Sequence, residues 1–187
     1  MVLDSEKYFD LRYKVKYEGL IMGGGDEPQL NVLGNKIVSY PSFSDFLVYD
    51  LSSNQQKTFT SISNSIPSQR EVPQNYSDES DEVGSMELQS ELGKLWEEQA
   101  RYGYINYLKS EDKYVRIVKG EGGRDASYFL EIFNKDFQKI EEFNLKEINP
   151  DLSPNYLNTK YGLMFRAKDQ PDEDVMCYYN VNLKEEK

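Results

Sequence analysis

The chain has 187 residues, enough for one domain with its own core, and 33 acidic against 22 basic residues give a formal charge of −11. A field of that sign repels phosphate backbones and anionic lipid heads, which argues against nucleic acid and membrane surfaces as partners. There is no histidine and one cysteine, Cys177, so histidine-based triads, His-ligated zinc and an internal disulfide are excluded within the chain. Hydrophobic residues make up only 38%, yet 15 Tyr and nine Phe are present. Broad amphipathic rings suit a pleated, half-buried surface, so an all-β or β-dominant class is expected.

Across residues 7–17, Tyr8, Leu11, Tyr13, Val15 and Tyr17 recur with Lys and Arg between them, the pattern of a strand with one wet face. Residues 19–25 and Asp26-Glu27-Pro28 read as a turn-rich break. A strand over 35–40, a turn over 41–45, a return strand over 46–50, a turn over 51–54 and a polar outer strand over 56–60 then form a meander. Residues 61–84 are rich in Ser, Asn, Gln and Pro and pass through an acidic run, so a mobile acidic and polar loop is expected. Met86, Leu88, Leu92, Leu95 and Trp96 recur at near-helical spacing, predicting one helix over 86–101, outside the sheets, on an edge or a channel mouth.

A second meander is predicted from strands over 102–108, 114–118, 128–133 and 139–145, with turns at 110–112, 120–123 and 134–136. Asn149-Pro150 and Ser153-Pro154 mark a junction, after which strands at 162–166 and 175–183 flank the loop 169–174. Within that last strand, Cys177 lies in the apolar run Val175, Met176, Cys177, Tyr178, Tyr179, where a small buried residue is expected. Three segments thus share one order, a short apolar strand, a polar loop and an aromatic-rich strand, which is a degenerate repeat. The whole chain, 1–187, reads as a single propeller-like domain or half-domain of antiparallel meander blades, a partial β-propeller with one inserted helix.

The stretches YGYINYLKSEDKYVRIV, YFLEIFNKDFQKIEEFNL and LNTKYGLMFRAKDQPDEDVMCYYNVNL carry a resemblance. They resemble the C-terminal half of a propeller-like family of unknown function, similar to envelope lipoproteins of gut anaerobes and to six-bladed TolB-like propellers. The matching features are structural: Tyr114-Val115-Arg116 as a strand signature, 133–137 as a hairpin turn and 160–163 as a blade start. The resemblance implies a bacterial cell-envelope setting and a toroid near twice this length. Residues 1–7 lack the basic start and apolar core of an export leader, and no lipid-attachment cysteine or membrane-spanning run is present. A half-toroid leaves sheet edges open, which invites pairing with a second copy.

Candidate sites are few. Gly23-Gly24-Gly25 is followed by Asp26, Glu27 and Pro28 with no Lys, so a turn is expected rather than a phosphate loop. The acidic runs 78–82 and 172–174 lack the alternating spacing and central Gly of a calcium loop, so no metal and no cofactor is assigned. No serine has a His partner or a Gly-x-Ser-x-Gly elbow, and no catalytic residue is assigned. Tyr102, Tyr104, Tyr107, Tyr178 and Tyr179 are the candidate ligand-binding residues, since exposed tyrosines offer a stacking face and a hydrogen-bonding edge. The expected function is a noncatalytic binding or scaffold module for a protein or glycan partner. The alternatives are a glycan-processing hydrolase or lyase using carboxylate and Tyr residues, and a truncated paralogue without independent function.

Overall fold

The computed structural model describes residues 13–17, 20–24, 29–33, 35–71 and 82–183, with side-chain surroundings for 29–31, 37–71 and 86–183. It is β-dominant, with antiparallel sheets and few helices. Strands β1 (Tyr13–Tyr17) and β2 (Leu20–Gly24) form a hairpin. The first meander sheet is β3 (Gln29–Leu33), β4 (Asn35–Ser39), β5 (Phe46–Asp50) and β6 (Gln55–Phe59), in that spatial order. Helix α1 (Glu82–Glu98) follows. The second sheet is β7 (Arg101–Leu108), β8 (Lys113–Lys119), β9 (Tyr128–Phe133) and β10 (Lys139–Asn144), again in sequence order. The third has three strands, β11 (Leu152–Thr159), β12 (Gly162–Ala167) and β13 (Tyr178–Val181).

The three sheets pack face to face because the second is apolar on both faces. Successive residues of a strand point to opposite sides. In β8 and β9, Tyr114 and Phe133 join Ile37, Phe46, Val48, Ile105 and Phe137 in the core shared with the first sheet. Val115, Leu130 and Ile132 instead join Leu108, Leu145, Leu152, Leu163 and Phe165 in the core shared with the third. Rings dominate the first interface, where Phe46 meets Phe133 edge-on at 5.4 Å and stacks on Phe59 at 5.7 Å. Aliphatic side chains dominate the second.

Inside the ring-lined interface lies a buried ion pair. Arg116 and Glu131 stand directly opposite each other on β8 and β9, and both are fully buried. Arg116 Nε donates to Glu131 Oε2 at 2.7 Å, and its Nη1 donates to the Ser44 carbonyl of the first sheet at 2.9 Å. Glu131 Oε1 accepts from the Ser61 hydroxyl at 2.6 Å and from Lys139 Nζ at 3.1 Å. Among the described residues Arg116 Nη2 has no N or O acceptor, but its guanidinium carbon lies 4.7 Å from the Tyr102 ring and 5.5 Å from that of Phe133. The electron-rich ring faces take the place of an acceptor. Burial pushes the Glu131 pKa up, and the Arg116 charge, the Ser61 hydroxyl and Lys139 together outweigh it, so the carboxyl is held below its ordinary value.

Several expectations are corrected. Gly23 and Gly24 lie in β2, paired with Lys14 and Tyr13, so they extend a hairpin rather than break a strand; Gly25 to Pro28 lie outside the described residues. Residues 7–12 of the first expected strand also lie outside them. Two strands escaped detection, β3 because Gln29 and Asn31 hide its alternation and β11 because of Ser153-Pro154. The register of β11 is interrupted between Leu152 and Tyr156, and an edge strand tolerates a proline at such an irregularity. Helix α1 begins at Glu82 and ends at Glu98, so Arg101 opens β7 instead of closing the helix. Residues 61–71 pass through buried positions, with Ser61, Ile66 and Arg70 inside and a bridge from Phe43 to Gln69, whereas 72–81 lie outside the described residues. Cys177 is only half-buried, and Val175 and Met176 beside it are exposed, because the edge strand β13 and the loop before it have one uncovered side. Among the described residues, no helix is long and apolar enough to cross a membrane.

Candidate functional site

The first strands of the three sheets run side by side, β7 in contact with both β3 and β11. Side-chain amides tie them together. Asn31 on β3 donates through Nδ2 to the Ile105 carbonyl at 2.8 Å and to Asn106 Oδ1 at 2.9 Å. Asn106 on β7 in turn donates to the Tyr156 hydroxyl of β11 at 2.6 Å. Asn158 on β11 reaches back to the Tyr107 carbonyl at 2.6 Å. Strand β7 is an edge strand of its sheet, and its carbonyls at Ile105 and Tyr107 that face away from β8 would otherwise be unpaired. These amides satisfy them.

Helix α1 lies over one end of this row. Leu92 and Trp96 are its buried residues, while Met86 and Leu95 face outward. The last carbonyls of a helix need partners from outside it. Here Arg70 donates to the Trp96 carbonyl, Lys119 Nζ to that of Glu97, and the Gly122 N–H to that of Glu98 at 2.8 Å. Gly122, at φ 108°, and Gly123, at φ 60°, adopt the left-handed backbone this turn requires. The Arg70 guanidinium also lies 4.0 Å from the Trp96 ring centre. Fixing the helix end in this way leaves an open cleft of about 1230 Å³ between α1, β7 and β11.

The floor of the cleft contains a β-bulge. The register of β7 against β8 shifts between Tyr102 and Ile105. Gly103 sits in that irregularity, and a Cβ there would lie 2.6 Å from the Ile117 carbonyl oxygen, so only glycine fits. The bulge presents Tyr104, 51% exposed, to the cleft. Tyr128, Tyr156, Asn155 and Asn158 line it farther along, and four basic side chains, Lys94, Arg101, Lys119 and Arg124, stand against Glu97 and Glu98 at the helix end. Partial burial lowers the Lys119 pKa, the nearby Glu97 opposing that shift.

The five expected tyrosines separate. Tyr102 and Tyr104 line the cleft. Tyr102 is 1% exposed, donates its hydroxyl to the Pro67 carbonyl at 2.6 Å, and has its pKa raised by burial, so it shapes the wall. Tyr107 lies outside the cleft, half-buried against the Tyr114 ring, with its hydroxyl on Asp112 at 2.6 Å. Tyr178 and Tyr179 also lie elsewhere; the Tyr179 hydroxyl donates to Asp151 Oδ2 at 2.6 Å. Asn31, Asn106, Tyr156 and Asn158 escaped the sequence reading. A signal for the first three existed: Asn-Val-Leu at 31–33 and Asn-Tyr-Leu at 106–108 and 155–157 recur near the turn that follows each first strand.

Among the described residues, no group of three or more Asp, Glu, Cys or His comes together as a metal site. No protein-family model matches the chain, and no curated protein matches it. A solved structure, the crystal structure of a DUF4221 family member from Bacteroides vulgatus ATCC 8482, has the same fold, with a TM-score of 0.59 over 83% of this chain at 14% identity. The alignment covers 46% of that protein, so the chain spans about half its length. At that identity the likeness is one of fold alone.

Proposed function

We propose that the chain is a noncatalytic binding or scaffold module, its three meander sheets being successive blades of a partial β-propeller, with a protein or glycan as partner. The observation that carries the reading is the cleft of about 1230 Å³ floored by neighbouring first strands, with Tyr104 raised into it by a glycine bulge. In a propeller the first strand of each blade lines the central channel, and the contacts of β7 with β3 and β11 support that reading. Ligand sites favour concave surfaces with a few fixed polar groups, and the amide ties hold this floor in place. The cleft acids weigh against hydrolysis. Glu97 and Glu98 are consecutive on α1 and so diverge by about 100° around the helix, whereas glycoside cleavage needs two carboxyls facing one another.

The test is calorimetric titration with peptides and with neutral and acidic oligosaccharides, followed by chromatography of the mixture. Saturable binding without product, weakened roughly tenfold by Tyr104→Ala, is expected. Product formation lost in a Glu97→Gln/Glu98→Gln variant would replace this reading with a hydrolase or lyase.

A further inference from the structure

We infer that the cleft between α1, β7 and β11 takes an acidic saccharide, a chain of sugar rings bearing carboxylate or sulfate groups; this rests on the binding-module reading and deepens it. Three observations converge. The first is size. At about 1230 Å³ the cleft exceeds the roughly 300–1,000 Å³ typical of sites for a single small ligand, so it suits several linked units.

The second is charge. The chain as a whole has more acidic than basic residues, but among the described residues the cleft reverses this, with four basic and two acidic side chains in its lining. Lys94 and Arg124 are exposed and have no ion-pair or hydrogen-bond partner among the described residues. They flank the end where Lys119 is fixed to the helix terminus. A local positive lip on an acidic protein concentrates anions there and repels them elsewhere.

The third observation separates a saccharide from an acidic peptide. A peptide docking on an outermost strand adds itself through main-chain hydrogen bonds. Beyond the cleft, the Ile105 and Tyr107 carbonyls of β7 are taken by Asn31 and Asn158, so a peptide strand begun at the cleft could not continue its pairing along β7. The described cleft lining offers the Tyr104 ring, the Asn155 amide and the Asn158 Oδ1, whose Nδ2 is given to the Tyr107 carbonyl. Flat rings and neutral amides match the apolar faces and hydroxyl edges of sugar rings.

The experiment is calorimetry on the intact chain with four probes of similar length: hexagalacturonate, a sulfated heparin hexasaccharide, cellohexaose and hexaglutamate. Binding of either acidic saccharide, weakened roughly tenfold or more by Lys94→Glu/Arg124→Glu and by raising the salt to 0.5 M, is expected. Both side chains are exposed, so circular dichroism of the variant should be unchanged. Hexagalacturonate and the heparin fragment distinguish carboxylate from sulfate as the source of charge. Equal binding of cellohexaose, indifferent to the charge reversal but lost in Tyr104→Ala, would overturn the acidic-saccharide inference while leaving the binding module standing. Binding of hexaglutamate without any saccharide would overturn it in favour of a protein partner. Failure of all four probes would overturn it as well, and the broader panel of the preceding test then decides the fate of the module reading.

Discussion

Replacing Arg116 by Met tests whether the ion pair organises the interface between the first two sheets. The substitution keeps an unbranched apolar stem between the Tyr102 and Phe133 rings but removes two polar contacts, to Glu131 and to the Ser44 carbonyl. Glu131 would remain fully buried with the Ser61 hydroxyl and Lys139 as partners, and the Ser44 carbonyl would lose its donor. Removing one member of a buried ion pair costs about 3–5 kcal/mol, since the other charge stays desolvated. Lys139, whose side chain is 14% exposed, offsets part of this loss, so the lower end, about 3 kcal/mol, is expected. With urea slopes of about 1–3 kcal/mol per molar, the unfolding midpoint should fall by roughly 1–3 M. Arg116→Met/Glu131→Leu removes both charges and should recover most of the stability, because a well-packed apolar replacement of such a pair is often neutral or stabilising. Equilibrium urea denaturation, followed by tryptophan fluorescence from Trp96 and by circular dichroism, reads both variants. The reasoning is refuted if the single variant loses less than about 1 kcal/mol or if the double variant is worse than the single.

Acid should weaken the fold through the same site: the Glu131 pKa is depressed in the folded state, so its contribution is complete above the unfolded carboxylate value of roughly 4.3 and is lost as pH falls through the lower folded value. Urea midpoints measured from pH 6 to pH 3 should fall more steeply for the wild type than for Glu131→Gln; parallel curves would contradict this. Gly103→Ala should destabilise by about 1–3 kcal/mol, because the Ile117 carbonyl at 2.6 Å from the added Cβ belongs to the paired strand and cannot withdraw. A thermal midpoint unchanged within about a degree would refute that contact. Asn106→Ala should cost about 1–2 kcal/mol, and its effect should not add to that of Tyr156→Phe, since both break the same hydrogen bond; simple additivity in a double-mutant cycle would deny the amide tie. Asp50, bonded first by the Ser52 and Ser53 hydroxyls and then by the Ser52 N–H, has its pKa lowered from 3.8 to about 2. Carboxyl NMR titration should show that value and should move it upward in Ser52→Ala.

Where local chemistry repeats with the period of a strand, the sequence already outlines the architecture. The strands β5 and β9 and the turn at Leu51 to Asn54 follow from apolar runs and turn residues alone, and α1 follows from Leu92 and Trp96 one helical turn apart. The strands β3 and β11 do not. Both lie at a sheet edge, where polar residues face neighbours instead of a core, so Asn31 and Asn158 carry no hydrophobic signal. The cleft is harder still, because it is made by residues far apart in the chain. Asn31 and Asn106 are 75 positions apart, and neither suggests a partner until β3 and β7 stand together. Tyrosine content was a coarse guide. It picked out Tyr104, but equally Tyr107 and Tyr179, whose hydroxyls are occupied by Asp112 and Asp151. The buried pair was more legible than it looked: each of two apolar strands, KYVRIVK and YFLEIF, carries one charge in its interior, and the charges are opposite. A lone charge inside a doubly buried strand demands a partner, and the neighbouring strand supplies it.

The two sheet interfaces differ in a way that bears on the cleft. A one-residue slip of a strand exchanges its two faces. For β8 such a slip would carry Arg116 out of the ring-lined interface and into the aliphatic core of Leu108, Leu130, Leu163 and Phe165. That placement strands a charge without a partner and costs several kcal/mol. The correct register alone lets Arg116 meet Glu131, the Ser44 carbonyl and three aromatic rings together. At the other end of the sheets, Asn31, Asn106, Tyr156 and Asn158 impose the same discipline on the first strands. The ion pair fixes the register of β8 against β9, its bonds to the Ser44 carbonyl and the Ser61 hydroxyl tie that sheet to its neighbour, and the amides tie the three first strands to one another. With its floor strands tied by these amides before any ligand arrives, the cleft needs little ordering on binding.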